Sequence, residues 1–229
     1  MTRPMTKHYN LPADSLLLLG PTGVGKSPLG DFLAARGLLG RACHHLDFGS
    51  ELRSIAAGGE RAAFYAPKEL EFISGVLERG LLLENEHFEL AGKIIAGFLD
   101  RAGFTDGDLL VLNGIPRHAG QAKDIPAIAA IHGLIILDCT AEDVYRRIHN
   151  NVGGDRTERV DDGRELIAKK LQIFRERTAP LIDYYGAQGR SLYRVSVTGE
   201  MTTEETYDLI SRLAAAHPAI ALVAEPPKR

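Results

Sequence analysis

A glycine-rich turn between an apolar run and a helical segment constrains the fold of this chain most strongly. Residues 16–30 read LLLLGPTGVGKSPLG, and residues 20–27 fit the spacing G-x-x-x-x-G-K-[ST]. An apolar run that stops at glycine is typical of a buried parallel strand, and the residues after Ser27 have helical spacing. Because glycines allow positive φ angles, successive backbone N–H groups in such a turn can point at one anion. The stretch therefore predicts a strand, a phosphate-binding loop and a helix.

The residues of this loop have expected roles toward a nucleoside triphosphate. Lys26 can reach the β- and γ-phosphates, Ser27 can ligate Mg²⁺, and the following helix adds its N-terminal dipole. Pro28 fits the first helical turn, where its missing N–H would have no intrahelical partner. The residues expected to hold the triphosphate are Gly20, Thr22, Gly23, Val24, Gly25, Lys26, Ser27 and Pro28. The loop leaves the reaction open, because regulators, motors and kinases all use it.

The rest of the chain alternates strand-like and helical segments. Thr140 is the expected N-cap of one helix, a threonine is the expected cap of the last one, and Pro180 lies inside or near an expected kink. This alternation predicts a parallel sheet covered by helices on both faces. Two regions interrupt it: residues from about 48 to 88 hold helices with no strand between them, and residues 149–159 are glycine-rich and charged. We interpret both as insertions on one core.

Composition and charge exclude several classes of partner. The formal net charge is -3, so nothing marks the chain as a general nucleic-acid binder. No apolar run approaches the roughly 20 residues of a membrane span, and the first residues lack the apolar region of a signal peptide. We therefore expect a cytoplasmic protein without nucleic-acid or membrane partners.

Four stretches downstream of the loop carry basic and amide side chains: FGSELR, NGIPRHAGQA, DRTERVDDGRE and FRERTAPLIDYY. With the loop, they resemble the nucleoside monophosphate kinases, most closely the adenylate kinases. The family order is the phosphate loop, G-[DE]-x-L-R, D-G-[FY]-P-R-x-x-x-Q, R-x-D-D and T-x-P-[LIV]-I-x-[YF]-Y. The corresponding residues here are 20–27, 49–53, 113–121, 159–162 and 178–185. The resemblance extends over about residues 16–209, nearly the whole chain.

The resemblance implies a fold and a reaction. The fold is a phosphate-loop three-layer α/β/α core with a five-stranded parallel sheet, formed by residues 1–47, 89–148 and 160–229. Residues 48–88 correspond to a helical monophosphate-binding insertion, and residues 149–159 to a lid of the short type. The implied reaction is reversible transfer of the γ-phosphoryl group from ATP with Mg²⁺ to a nucleoside monophosphate, with AMP favoured as acceptor. Members of the family are often monomers, and we expect a monomer here.

The resemblance also implies roles for individual residues. The expected catalytic group is Lys26, Arg117, Arg159, Arg147 and Arg156. The expected acceptor-binding residues are Phe48, Gly49, Arg53, Leu82, Leu83, Gly114, Arg117, Gln121 and Lys170. Arginine suits a phosphate because its planar fork can donate two hydrogen bonds to it. The amide of Gln121 suits the donor–acceptor edge of adenine.

Several positions depart from the family pattern. Asn113 replaces an aspartate that helps to hold the waters of Mg²⁺, Asn151 replaces a lid arginine, and Lys170 replaces a further arginine. Phe48 stands where the family usually has threonine or alanine, and Asp47 before it is unusual. Asp47 could compensate for Asn113 at the metal, act as a base for an acceptor hydroxyl, or merely cap the next helix. The candidate metal residues are Ser27, Asp47 and Asn113.

These departures leave two alternatives beside the nucleoside monophosphate kinase. Asp47 favours a phosphate-loop kinase for another nucleotide or a small metabolite. So does the acceptor region, which has about seven more residues between Arg53 and Gly80 than the family usually has. Asn113, Asn151 and Lys170 favour an ATP-binding sensor or interaction protein with little kinase activity. The retained Lys26 and the arginines of the acceptor motifs oppose this last alternative.

Overall fold

The fold is built on one five-stranded sheet, seen in a computed structural model that describes residues 10–154 and 164–219. The strands are β1 (Ala13–Leu19), β2 (Cys43–Asp47), β3 (Leu109–Asn113), β4 (Ala129–Asp138) and β5 (Ser191–Ser196). They lie in the order β2-β3-β1-β4-β5, and every neighbouring pair is parallel. The predicted five-stranded parallel sheet is confirmed.

Helices connect the strands and cover the sheet. Their bounds are α1 (Lys26–Arg36), α2 (Phe48–Ala56), α3 (Pro67–Arg79), α4 (Phe88–Ala102), α5 (Ala119–Asp124), α6 (Ala141–His149), α7 (Arg164–Ile173), α8 (Pro180–Gly186) and α9 (Thr203–Ala216). Short 3₁₀ turns occupy Ala62–Phe64, Asn85–His87 and Ile125–Ala127. No helix among the described residues is long and apolar enough to cross a bilayer.

Two apolar cores lie on opposite faces of the sheet, because successive strand residues point to opposite sides. Leu17 and Leu19 belong to one core with side chains of α2, α3, α4, α5 and α8, whereas Leu16 and Leu18 belong to the other with those of α1 and α9. The four consecutive leucines are therefore all buried, each contributing roughly 2 kcal/mol by removal from water. This arrangement confirms the three-layer α/β/α fold.

Helix ends follow the chemistry of their capping residues. The phosphate loop ends at Gly25, whose φ of 107° leads into α1, and Gly37 closes that helix with a φ of 75°. Thr140 caps α6 by accepting a hydrogen bond from the Asp143 amide at 3.1 Å. The predicted threonine caps of α6 and of the last helix, α9, where the residue is Thr202, are confirmed.

The long helical segment after the predicted lid is interrupted near its proline. A π-helical turn, Phe174–Thr178, separates α7 from α8, and the Ala179 amide donates to the Phe174 carbonyl at 2.8 Å. Pro180 begins α8 and has no N–H to continue the preceding helix. This π-helical turn lies where the sequence predicts a kink near Pro180, and its last residue, Thr178, lines the cleft described below.

The two predicted insertions differ in how much of them the structure describes. Residues 48–88 contain α2, α3 and short 3₁₀ turns without a strand, as the sequence indicates. In the predicted lid, His149 is the last residue of α6. Residues 155–159, and with them Arg156 and Arg159, lie outside the described residues. The boundaries of both insertions remain predictions.

Candidate active site

A cleft of about 230 Å³ lies at the carboxyl ends of β1, β2 and β3. In parallel α/β sheets, ligands bind beyond these ends of the strands. Most of the residues proposed from the sequence line the cleft: Gly20, Thr22, Gly23, Gly25, Lys26, Ser27, Asp47, Phe48, Gly49, Arg53, Leu82, Leu83, Asn113, Gly114, Arg117, Gln121 and Lys170. The fold thus brings together residues from the loop, the acceptor motifs and α7.

The phosphate loop is held open by its glycines. Gly23 and Gly25 have φ angles of 80° and 107°, a region that residues with a side chain rarely adopt. The Lys26 ammonium donates to the carbonyls of Gly20 and Pro21, both at 2.7 Å, and so lies across the mouth of the loop. Of the predicted loop residues, Val24 packs in the core, and Pro28 lies half-buried in the first turn of α1 without lining the cleft.

Three polar side chains meet next to this loop. The Ser27 hydroxyl donates to Oδ2 of Asp47 at 2.5 Å. The Asn113 amide lies 3.2 Å from that same Oδ2 and 3.2 Å from Oγ of Ser27. Asp47 and Asn113 are direct neighbours in the pairing of β2 with β3, which explains how residues far apart in sequence meet here.

Asp47 also uses its second carboxylate oxygen. Oδ1 accepts the Ser50 amide at 2.9 Å, so Asp47 is the N-cap of α2. Burial would raise the pKa of this carboxyl, but the hydrogen bonds from Ser27 and Ser50, with the nearby charges of His45 and Arg53, hold the pKa below its usual value. The helix-capping interpretation of Asp47 is confirmed, and it leaves Oδ2 directed at the phosphate loop.

The oxygen atoms at this end of the cleft fit a magnesium ion. Mg²⁺ prefers oxygen ligands, typically one or two carboxylates together with substrate phosphates and waters. Oγ of Ser27 and Oδ2 of Asp47 lie next to each other here, whereas Asn113 presents its N–H group to them. The described residues contain no cluster of three His, Cys, Asp or Glu side chains that could hold a metal alone. An ion here would therefore depend on nucleotide phosphates for further ligands.

Two arginines project into the acceptor side of the cleft. Burial lowers the pKa of the Arg117 guanidinium, and the charge of Asp47 partly offsets this effect. Within the described parts of the chain, neither Arg117 nor Arg53 makes a side-chain hydrogen bond or an ion pair. The Arg117 backbone is fixed, because its carbonyl accepts the Thr178 hydroxyl at 2.9 Å. The site thus holds arginine donors on an anchored backbone.

Gln121 is buried and already contacts the protein on both sides of its amide. Its Oε1 accepts the Arg117 amide at 2.7 Å, and its Nε2 donates to the Leu83 carbonyl at 3.0 Å. His118 also contacts the Leu83 carbonyl, at 2.9 Å. One N–H and one lone pair of the Gln121 amide are not used by these two bonds. Gln121 therefore ties the loop after β3 to the wall formed by residues 82 and 83.

Arg147 does not line the cleft. It is buried on α6, and its guanidinium donates to the carbonyls of Thr198 at 2.9 Å and Met201 at 2.7 Å. It nevertheless reaches the phosphate loop, because a Cβ on Gly25 would lie 3.1 Å from its Nη2. The structure thus places Arg147 behind the loop rather than in the open cleft. Arg156 and Arg159, the other two expected lid arginines, lie outside the described residues.

Some residues of the site have no role in the sequence prediction. Thr178, Ile173 and Phe174 line the cleft from α7 and the π-helical turn. His45 on β2 lies beside Asn113, with 3.4 Å between Nε2 and Nδ2. Gly30 of α1 lies against the His45 ring, which a Cβ at this position would meet. A glycine inside a predicted helix is the sequence feature that indicates such a close approach.

Comparison with known proteins identifies relatives over most of the chain. No protein-family model matches it. An adenylate kinase of Parvibaculum lavamentivorans is 30% identical over 185 residues, covering 76% of this chain and 80% of that protein. An adenylate kinase of a Synechococcus species is 31% identical over 191 residues, covering 80% of this chain and 90% of that protein. An adenylate kinase of Stenotrophomonas maltophilia is 29% identical over 194 residues, covering 81% of this chain and 92% of that protein.

Two solved structures have a similar chain path. A gluconokinase from Sinorhizobium meliloti is 16% identical, with a TM-score of 0.47, over 90% of this chain and 95% of that one. An unliganded sugar kinase from a Janibacter species is 15% identical, with a TM-score of 0.49, over 91% and 98%. At this level of similarity, neither structure bears on the substrate.

Proposed function

The chain belongs to the adenylate kinase family, and from this premise we propose that it transfers the γ-phosphoryl group of ATP reversibly to a nucleoside monophosphate, with AMP the favoured acceptor. One observation carries the proposal. Arg53 and Arg117 line the same cleft as the phosphate loop, and within the described residues neither guanidinium bonds to the protein. Guanidinium groups in such a position suit a second phosphate beside the triphosphate.

The donor would bind at the phosphate loop. Backbone N–H groups of residues 20–27 and the N-terminus of α1 suit the β- and γ-phosphates, with Lys26 as their point charge. Magnesium, held by Ser27 and Asp47, would neutralise phosphate charge. Asn113 would act beside this ion rather than as its carboxylate ligand. Transfer between two phosphates needs positioning and charge neutralisation more than a covalent group.

The acceptor would bind across the cleft. Arg117 and Arg53 would donate hydrogen bonds to its phosphate. The surrounding wall would be formed by Phe48, Gly49, Leu82, Leu83 and Gly114. Gln121 would keep Arg117 in place and offer its remaining N–H to an adenine edge. Lys170 would add charge from α7. On the family match alone, we assign Arg156, Arg159 and Arg147 to the closed state, in which excluding water favours transfer over hydrolysis.

A second candidate is a kinase for an acceptor that carries a hydroxyl group. It is favoured by one feature, the carboxylate of Asp47, which lines the cleft next to the loop. A hydroxyl nucleophile needs a base or a hydrogen-bond acceptor, whereas a phosphate acceptor is already anionic. On this second candidate, Asp47 would face the acceptor rather than the metal.

An assay of acceptors separates these functions. ATP with Mg²⁺ is offered with AMP, GMP, CMP, UMP and a set of sugars and sugar acids, and ADP formation is followed. We expect ADP to form fastest with AMP. Turnover only with a hydroxyl acceptor would overturn the proposal in favour of the second candidate. ATP binding without transfer to any acceptor would favour a sensor without kinase activity.

A further inference from the structure

We propose that His45, together with Asp31, is a positioning pair for the metal-binding end of the cleft and acts through Asn113. The inference rests on the proposed phosphotransfer function. It adds two residues that no motif of the sequence includes. Neither side chain lines the cleft.

The geometry begins with the strand pairing. Asp47 on β2 is the direct neighbour of Asn113 on β3. His45 precedes Asp47 by two residues and therefore lies on the same face of β2. The Asn113 amide nitrogen lies between them, 3.2 Å from Oδ2 of Asp47 and 3.4 Å from Nε2 of His45. Asn113 thus spans the two β2 side chains.

The proton positions follow from the partners. Oδ2 of Asp47 accepts from the Ser27 hydroxyl and from the Asn113 amide nitrogen, so Asn113 turns its NH₂ group toward this carboxylate. That same NH₂ group faces Nε2 of His45, which must then be the acceptor nitrogen of the ring. The ring proton is left on Nδ1, and Nδ1 lies 2.8 Å from Oδ1 of Asp31. The chain of donors therefore runs from Asn113 to His45 and from His45 to Asp31.

Burial shows that this arrangement is built into the fold. The His45 side chain is only 4% exposed, whereas that of Asp31 on α1 is 77% exposed. The ring occupies space that a side chain at Gly30 would fill, since a Cβ there would collide with it. An aspartate at 113, the usual residue of the family, could donate to neither His45 nor Asp47. Asn113, His45 and Gly30 therefore fit one another.

These contacts fix the orientation of the Asn113 amide. The Asn113 NH₂ group has Asp47, His45 and the Ser27 oxygen within hydrogen-bond distance, so rotation of the amide would break these contacts. Held in this way, it keeps Oδ2 of Asp47 beside the Ser27 hydroxyl. Without His45 or Asp31, we expect the two oxygen ligands to be less well placed for Mg²⁺. The acceptor side, at Arg53 and Arg117, should not change.

The first test reads the proton position directly, without nucleotide or metal. Side-chain ¹⁵N NMR, which distinguishes the Nδ1–H form of a neutral histidine ring from the Nε2–H form, is recorded at alkaline pH. His45→Phe identifies the signal. We expect the Nδ1–H form for His45, and a mixture of both forms in Asp31→Ala. An Nε2–H form in the unmodified protein would overturn the proposal. His132, which pairs with Asp14 at the other end of the sheet, is the internal control.

The second test measures Mg²⁺-dependent ATP binding by calorimetry, with no acceptor present. For Asp31→Ala we expect the half-saturating Mg²⁺ concentration to rise roughly three- to tenfold, about the factor that one net hydrogen bond is worth. Asp31→Asn retains an oxygen acceptor for Nδ1–H and should stay near the unmodified value. Glu204→Ala, which removes an exposed carboxylate paired with Arg36 of α1, is the matched control.

An unchanged Mg²⁺ requirement in Asp31→Ala would overturn the proposal, even if the ring proton moves. Both readings are independent of the acceptor. If the enzyme proves to act on something other than AMP, the proposed function fails while these measurements still decide the role of His45.

Discussion

Two arginines, Arg41 and Arg117, lie at opposite ends of the same sheet and are used differently. At the amino end, Arg41 is buried and donates to the Gly107 carbonyl at 2.5 Å and, through Nη2, to Asp14 and the Asp108 carbonyl, both at 2.8 Å. At the carboxyl end, Arg117 makes no comparable side-chain bond within the described residues. The fold thus supplies acceptors for one cation, whereas the proposed function gives the other a ligand phosphate as its acceptor.

The largest effects should come from removing either of these two arginines. Arg117→Ala should lower the rate of transfer by about a thousandfold or more, since a guanidinium that stabilises phosphoryl transfer contributes on that scale. ATP affinity should stay near that of the unmodified protein, because Arg117 faces the acceptor. Stability should not fall, because within the described residues the guanidinium makes no hydrogen bond or ion pair that the fold would lose. Steady-state kinetics, ATP titration and urea unfolding check the three statements. A large loss of ATP binding would contradict the acceptor-side assignment.

Arg41→Met should show the reverse pattern. It removes the cation that pairs with Asp14 and donates to the carbonyls of Gly107 and Asp108. We expect the free energy of unfolding to fall by roughly 1.5–3 kcal/mol, the scale of a lost hydrogen bond to a charged group. The rate constant of transfer should stay near that of the unmodified protein at temperatures where the variant is folded. A stable but inactive Arg41→Met variant would contradict the assignment of Arg41 to stability and not to transfer.

The two oxygens of Asp47 offer the next comparison. Asp47→Asn keeps an acceptor for the Ser50 amide, since asparagine is an equally good N-cap, but it removes the charge at Oδ2. We expect the Mg²⁺ requirement to rise about tenfold or more while stability changes little. Asp47→Ala should have the same functional defect and also lose about 1 kcal/mol of stability through the missing cap. If Asp47→Asn left the Mg²⁺ requirement unchanged but abolished transfer, the carboxylate would face the acceptor instead.

Substitution of two helical glycines by alanine should change stability by smaller amounts and in opposite directions. Gly30→Ala places a methyl group against the His45 ring and should cost about 1–3 kcal/mol of stability, as overpacking does. Gly97→Ala on α4 meets only the flexible end of Arg101, at 3.3 Å, and should be neutral or stabilising by up to about 1 kcal/mol. Urea unfolding measures both. Equal effects at the two positions would contradict the packing of His45 under α1.

The smallest expected effect is a pH dependence at the amino end. Burial would raise the pKa of Asp14, but hydrogen bonds from Arg41 and His132 outweigh it and lower the pKa. Because the pKa is lower in the folded state, the ionised carboxylate stabilises the protein above the unfolded-state pKa of about 3.9. This contribution is lost as the pH falls through the folded-state pKa. The half-exposed side chain makes this contribution modest. Asp14→Asn should therefore flatten the fall in stability below about pH 4, and an unchanged acid slope would contradict this assignment.

The sequence predicts those features that depend on neighbours along the chain. The phosphate loop, the buried leucine strand and the threonine caps are local, and all three are confirmed. The π-helical turn before Pro180 lies where the sequence predicts a kink. The cleft gathers most of the proposed residues because parallel strands end at one edge of the sheet.

Other features depend on register and packing between distant segments. The contact of Asp47 with Asn113 requires β2 to pair with β3 in one register. Gln121 meets the Leu83 carbonyl across 38 residues, which no local pattern indicates. The adjacent His44 and His45 point to opposite faces as expected, but the partner of His45 depends on where α1 packs. These contacts decide how the residues of the motifs are held.

One measurement tests the proposed reaction most directly. The protein is incubated with ADP and Mg²⁺ alone, and ³¹P NMR follows the nucleotides, with Arg117→Ala prepared in parallel as the control. A reversible adenylate kinase needs no other substrate, because one ADP can donate to another. We expect ATP and AMP to appear in equal amounts with the unmodified protein and not with Arg117→Ala. ADP that remains unchanged at high enzyme concentration would contradict it.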